Sequence, residues 1–138
     1  MGAFDSMQIS ASGMSAERLR MDVIAENLAN ADTTRGPNGQ PYRRQEVVLE
    51  SGGVGGTSFS DVLAGVHVAG VADDPTPLRR VYDPGHPDAD AQGYVSMPNV
   101  SSVTEMVDLI TATRGYEADT QAMNAARQMF TKSLDLLH

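Results

Sequence analysis

The chain has 138 residues, a formal net charge of −8 and no cysteine or tryptophan. Its length suits one small domain, and its negative charge disfavours nonspecific binding to nucleic acid or to an anionic membrane. Without cysteine there are no disulfide bonds and no cysteine nucleophile. No apolar run approaches the roughly 18 residues of a membrane span, so we expect no direct membrane insertion.

The N-terminal segment predicts a helix that begins near Met7, capped by Ser6, and ends where Asn30, Asp32 and Thr33 compete with helical hydrogen bonds. Large residues recur on it every seven positions, which places them on one stripe: Met7, Met14, Met21 and Leu28. A second apolar group lies roughly opposite: Ile9, Ala16, Leu19 and Val23. A surface helix of a monomer needs only one apolar face, so this helix has one more than a monomer requires.

The middle of the chain, residues 35–100, contains all seven prolines and predicts loops and short strands. The predicted strands are residues 42–49, 66–72, 78–82 and 94–97. A glycine-rich stretch at residues 51–58, SGGVGGTS, predicts a flexible connection. The hydrophobic content of this region is too thin for a large core, which indicates a small β-rich insert and not a separate enzyme domain.

The C-terminal segment predicts a helix from about Ser102 to Leu137, with Ser102 and Glu105 as an S-x-x-E capping box. One of its sides carries large residues spaced by seven: Leu109, Tyr116, Met123, Phe130 and Leu137. A strip on the other side allows close approach of another backbone: Gly115, Ala118, Ala122 and Ala125, closed by Met129.

These patterns predict a mainly α fold with a small β-rich insert. The two terminal helices are expected to form an antiparallel or crossed, coiled-coil-like pair through their large-residue stripes. Residues 1–34 and 101–138 would then form one discontinuous helical domain, with residues 35–100 as the middle segment. Gly13 within the first helix indicates a bend or close approach of another backbone.

This pairing leaves the second apolar face of each helix uncovered, and we predict that these faces contact other subunits. The alternative is that the middle of the chain folds over these faces in a compact monomer.

Motifs for chemistry are weak. The run GGVGG lacks the Lys-Ser/Thr ending and the spacing of a phosphate-binding loop, and SGMSA lacks the last glycine of a nucleophile elbow. His86, Asp88 and Asp90 could offer ligands to a cation, but a solvated acidic turn is the simpler interpretation. We therefore predict no catalytic, cofactor or metal site, and no enzyme.

Two long motifs resemble flagellar proteins. SMQISASGMSAERLRMDVIAENLANADTT resembles the N-terminal region of flagellar rod and hook proteins, in which a helix ends in an Asn-Ala-Asn/Asp-Thr signature. The stretch from GYVSMPNV to the C-terminus is similar to the C-terminal signature of the same proteins. The short middle and the MPNV step point to the proximal-rod members of the flagellar basal-body rod family. The residues that carry the family motif are Asn27, Asn30, Ala31, Asp32, Thr33, Met97, Pro98, Asn99 and Val100.

This resemblance implies a structural axial subunit that polymerises helically into the rod, a torque-transmitting shaft in the periplasm, with its terminal helices around a central export channel. The implied partners are copies of itself, other rod proteins, proteins of the rod-base/MS-ring junction, and the flagellar type III export apparatus. Export by that apparatus would agree with the N-terminus MGAFDSMQIS, which lacks the basic segment of a Sec signal peptide. The resemblance also implies that the ends of a free subunit become ordered on assembly.

Two alternatives remain at this point. One is another flagellar axial subunit of the rod or hook. The other is a small soluble helical adaptor or chaperone, which would show one apolar face per helix and stay folded when purified.

Overall fold

The computed structural model describes residues 3–51 and 65–135. A long helix at each end, α1 (Ala3–Ala29) and α2 (Ser102–Asp135), flanks four short strands. The strands are β1 (Gln45–Ser51), β2 (Val66–Asp73), β3 (Arg79–Tyr82) and β4 (Tyr94–Met97). The predicted mainly α fold with a small β-rich middle is confirmed. Apart from Ser51, the glycine-rich stretch 51–58 lies outside the described residues, and so does Leu137.

The strands form two separate antiparallel ribbons. In the first, β1 pairs with β2 from Gln45 opposite Asp73 to Ser51 opposite Val66, with a bulge between Val48 and Leu49. In the second, β3 pairs with β4, and the ring of Tyr82 packs edge-on against that of Tyr94 with centroids 5.3 Å apart. Because the ribbons share no strand, no central sheet forms among the described residues and the core follows the helices instead.

The two helices pack against each other along most of their length, and the β1–β2 ribbon contacts α1 on another side. The buried hydrophobic residues are mostly small: Ala16, Val23, Ile24, Ala31, Val95, Val100, Ala112 and Ala126. Part of the second face of α1 lies beside the middle of its own chain, since Val23 lines the same cavity as Val47 and Leu49 of β1.

The ends of the helices agree only partly with the prediction. Helix α1 already includes Ala3, so Ser6 lies inside it and is not its cap. Its predicted end is confirmed, because the Asn30 amide Nδ2 donates to the Glu26 carbonyl at 3.0 Å and the Thr33 hydroxyl donates to Asn30 Oδ1 at 3.1 Å. Helix α2 begins at Ser102 as predicted. Neither described helix is both long and apolar enough to cross a membrane.

Candidate functional site: the helix pair and its polar junction

The helix pair is antiparallel. The sulfur of Met21 lies 3.5 Å from the Thr113 hydroxyl, and the sulfur of Met14 lies 3.4 Å from the Thr120 hydroxyl. Positions that come earlier in α1 thus meet positions that come later in α2.

Two glycines make room for acidic side chains of the opposite helix. A Cβ at Gly13 would lie 2.5 Å from Asp119 Oδ2, and a Cβ at Gly115 would lie 3.2 Å from the carboxyl carbon of Glu17. The close approach predicted at Gly13 is present, but the approaching group is a carboxylate. Gly115, which was predicted at a contact between subunits, lies beside Glu17 of its own chain.

The centre of the pair is built from smaller side chains than predicted. On α2 the buried positions are Glu105, Ala112 and Ala126. Ala16 and Val23 are buried on α1, at 3% and 6% exposure. Both residues were predicted at a contact between subunits, and in the single chain they are already covered. On α2, the small side chains of Ala112 and Ala126 allow the two helix axes to come close.

The large residues predicted to form the pairing flank this centre. Those that are half-buried are Met7, Met14, Met21, Leu28, Leu109, Met123 and Phe130. Tyr116 is 36% exposed. Ile9 and Leu19, from the second group on α1, are half-buried as well. The hydroxyl of Ser12 attaches the start of β2 near Ile9, since it accepts the Val66 amide at 3.1 Å and donates to the Ile9 carbonyl at 2.7 Å.

The side of α2 that faces away from α1 is open to solvent. Ala118, Ala122, Ala125 and Met129 are exposed there, as their predicted position requires. Another exposed apolar group of α2 was not among the residues predicted to contact other subunits: Val103, Met106, Val107 and Ile110. Their i, i+3, i+4, i+7 spacing is a readable signal of one helix face.

A buried polar cluster, here called the polar junction, connects both helices with the middle of the chain. It consists of Asn27, Tyr42, Arg44, Asn99 and Glu105. Asn27 and Glu105 are almost completely buried, at 1% and 0% exposure. A buried polar group is stable only where hydrogen bonds replace its lost hydration, so the partners of each group matter.

The amide of Asn27 uses all its hydrogen-bonding capacity. Its Oδ1 accepts the Tyr42 hydroxyl at 3.0 Å and the Gln45 backbone amide at 2.9 Å. Its Nδ2 donates to the Gln45 carbonyl at 2.9 Å and to Glu105 Oε2 at 3.1 Å. Asn27 thereby joins α1, the start of β1 and the first turn of α2.

Arg44 provides the positive charge of the junction. Its Nε donates to Glu105 Oε1 at 2.5 Å, and its terminal nitrogens contact Glu46, Asp74 at 3.5 Å and Asp108 at 3.4 Å. The carboxylate of Glu105 is thus bound by Arg44 and Asn27, so the predicted capping-box role for this side chain is wrong. Burial alone would lower the pKa of Arg44, but hydrogen bonds and Coulombic attraction from Glu105 and Glu46 raise it above its usual value.

The MPNV step fixes the start of α2 against this cluster. Pro98 and Val100 are buried, and Asn99 between them in sequence is half-buried. Asn99 Oδ1 accepts the Arg44 backbone amide at 2.8 Å, and its Nδ2 donates to the Thr76 hydroxyl at 2.8 Å. In the sequence, Asn27 and Asn99 were recognised only as members of the family motif. Their hydrogen bonds give each of them a structural role in the polar junction.

Two further pKa values are perturbed around the junction. Burial, followed by the negative charges of Glu26, Asp73 and Glu105, raises the pKa of the Tyr42 phenol to about 12. Hydrogen bonds from Thr76, with a smaller contribution from the charge of Arg44, lower the pKa of Asp74. These shifts follow from structural contacts, because each group is engaged by neighbours that hold one protonation state.

The acidic turn of the middle segment pairs its carboxylates with basic and hydroxyl groups. Asp88 contacts Arg35 at 3.1 Å and accepts the Thr34 hydroxyl at 2.9 Å. Asp90 contacts Arg80 at 2.7 Å. Within residues 3–51 and 65–135, no group of three or more His, Asp or Glu side chains is arranged to hold a metal ion.

Comparison with known families defines the class of protein. The family described as "Flagella basal body rod protein" matches residues 7–37, which span α1 from Met7 and the turn that ends it. The family described as "Flagellar basal body rod FlgEFG protein C-terminal" matches residues 91–136, which span β4, the MPNV step and α2. The two matched ranges contain most of both helices and three of the five junction residues, Asn27, Asn99 and Glu105, and they define a structural subunit of the bacterial flagellar rod.

Whole-chain relatives narrow this class. A relative from Bacillus subtilis named "Flagellar basal-body rod protein FlgC" is 46% identical, with 99% of each chain covered. Relatives of the same name from Borreliella burgdorferi and Escherichia coli O6:H1 are each 42% identical to this chain and cover 99% of it. The match covers 99% of the first relative and 98% of the second. The chain belongs to the FlgC family of flagellar basal-body rod proteins, which are structural axial subunits that assemble with other rod components in the basal body.

Proposed function

We propose that copies of this chain polymerise helically, together with other rod proteins, through the solvent-facing sides of α1 and α2. The resulting proximal part of the rod transmits torque, and its helices surround the export channel. The observation that carries this proposal is the balance of burial. Among the described residues thirteen large hydrophobic side chains are exposed, and seven of these lie on α2. A monomer rarely leaves so much apolar surface uncovered.

The proposal assigns different roles to the ends and to the middle. Residues 1–34 and 101–138 form the inner helical part, and residues 35–100 face outwards. This division is supported by the packing, in which the β1–β2 ribbon lies against α1 while the outer side of α2 remains exposed. The polar junction keeps the two parts in a fixed relative position, as a shaft under torque requires.

The same proposal includes the route and the neighbours of the subunit. The chain travels through the flagellum's own type III export apparatus, joins the rod in the periplasm and meets its own copies, other rod proteins and proteins of the rod-base/MS-ring junction. Assembly covers the apolar surface that the folded helix pair leaves exposed, because neighbours then pack against it. The names of the relatives and the family resemblance support this assignment.

A bulky substitution on the exposed side of α2 tests the proposal. We expect Ala122→Trp to prevent rod assembly, because the new ring would fill the space that a neighbour needs, while export of the subunit continues. Ala91→Trp is the matched control, since Ala91 is exposed in the turn before β4 and lies on the part that faces outwards. Swimming, basal-body yield and the amount of secreted subunit are measured for both. Normal rods with Ala122→Trp would contradict the proposal.

A further inference from the structure

The outer side of α2 carries an apolar ridge formed by Val103, Met106, Val107 and Ile110. Each of these side chains is more than half exposed. Their spacing places them on one helix face, opposite the seam that contains Glu105 and Ala112. They expose roughly 400 Å² of continuous apolar surface, which is within the range of the largest apolar patch of a soluble monomer, and such patches are often functional.

The area of the ridge limits what can occupy it. A stable isolated complex buries roughly 800 Å² on each partner, about twice what the ridge offers. One such contact is therefore too small to hold an independent pair. In an array, each subunit is held on both sides, and several small contacts together become stable. The ridge thus fits a repeating neighbour better than a single bound partner.

A complementary surface lies further along the same helix. Ala118, Ala122 and Ala125 form an exposed strip of small side chains, here called the alanine strip. When two copies of α2 lie parallel with an offset of fifteen positions, Val107 of one faces Ala122 of the other. The same offset places Val103 and Ile110 against Ala118 and Ala125, so three of the four ridge side chains meet small ones. The fourth, Met106, faces the exposed Gln121.

The charges support the same offset. It places Glu117 of one copy opposite Lys132 of the next, and both residues are exposed. Neither forms an ion pair among the residues that the structure describes. A shift of one turn in the N-terminal direction would instead place Val103 against the charged side chain of Arg114. Charge complementarity of this kind fixes the register of a contact more than its strength.

We propose that the apolar ridge of one copy docks on the alanine strip of a second copy, with the two α2 helices parallel and offset by about 22 Å along their axis. This inference rests on the proposed function and adds the partner surface and the register. The contact is heterologous, so each copy keeps one free surface for the next, and an open helical polymer results.

Site-directed cross-linking tests this contact, and the natural chain helps because it contains no cysteine. The double variant Val107→Cys/Ala122→Cys is produced in a bacterium that lacks its own copy, and isolated basal bodies are treated with a short bismaleimide. Within one chain the two cysteines lie about 22 Å apart on α2, too far for the reagent to connect them. We expect covalent dimers and higher multiples of this chain.

The control Val107→Cys/Ala91→Cys carries the same types of substitution but places the second cysteine in the turn before β4. It is expected to give no multiples. If the first variant enters basal bodies without giving multiples, or cross-links to a protein of different mass, the contact between copies is refuted while the proposed function stands. If a tagged unmodified chain is absent from basal bodies, the proposed function itself fails.

A charge exchange tests the register without cysteines. Glu117→Lys should lower incorporation into basal bodies several-fold, because Lys132 of the neighbour would then face a like charge. Glu117→Lys/Lys132→Glu should restore incorporation, since the pair is inverted but intact. An equally poor double variant would refute the proposed offset.

Discussion

The polar junction predicts a large and specific response to loss of Arg44. In Arg44→Met the carboxylate of Glu105 stays completely buried but loses the guanidinium that binds it at 2.5 Å. Removing one partner of a buried ion pair typically costs about 3–5 kcal/mol, because the remaining charge is left uncompensated. Domains of this size are stable by only about 5–15 kcal/mol, so the loss would be a large fraction of the total.

Urea unfolding of the purified chain, followed by far-UV circular dichroism, measures this loss as a lower transition midpoint. The matched control is Arg80→Met. It breaks the pair with Asp90, whose two side chains are 59% and 39% exposed, and exposed pairs contribute at most about 1 kcal/mol.

A second substitution distinguishes an uncompensated charge from lost packing. Glu105→Gln removes the buried charge and keeps an oxygen for the Asn27 amide. Introduced into Arg44→Met, it should recover about 1–3 kcal/mol, since neighbouring residues couple by this amount. The reasoning would be refuted if Glu105→Gln destabilised the Arg44→Met protein further, or if Arg44→Met and Arg80→Met had equal effects.

Two further predictions concern the helix seam and the phenol of the junction. Gly13→Ala should destabilise the chain because its Cβ would meet the Asp119 carboxylate. In an Asp119→Ala background the same substitution should stabilise the chain by up to about 1 kcal/mol, because alanine has the higher helix propensity. The urea midpoints of the parent, the two single variants and the double variant show whether the sign of the effect reverses. The Tyr42 phenol has a pKa near the ordinary value of 10.0 in the unfolded chain and of about 12 in the folded chain. Its contribution to the free energy of unfolding is therefore complete below pH 10 and is lost as the pH rises through 12. Ultraviolet titration should show a phenol that ionises near pH 12, and its persistence in Tyr42→Phe would contradict this assignment.

Local features of the fold could be read from the sequence. The end of α1 at Ala29, the start of α2 at Ser102 and strand β4 follow from side chains that act on their own backbone or on near neighbours. Periodicity also identified both helices as having more apolar surface than one face requires. Such signals are short-range, so a single sequence contains them.

The partner of each helix face could not be read in the same way. Either of the two apolar stripes on α1 could have packed against α2. Which one does so depends on the position of the β1–β2 ribbon, and no local sequence pattern specifies that position. Ala16 and Val23 are buried within the chain, although the methionine stripe, which contacts α2 through Met14 and Met21, is more conspicuous in the sequence. Glu105 fits a capping box, and only its buried position beside Arg44, 61 residues away in sequence, gives it another role.

The distance along the chain between Asn27 and Glu105 has a consequence for folding kinetics. These two residues are 78 positions apart, so their hydrogen bond closes a long loop at an entropic cost of about 4 kcal/mol beyond a constant. Helical turns and tight hairpins form within microseconds, whereas contacts between distant segments form more slowly. We therefore expect the first turn of α2 to become fixed beside Asn27 late in folding, after α1 and the β1–β2 ribbon have already formed.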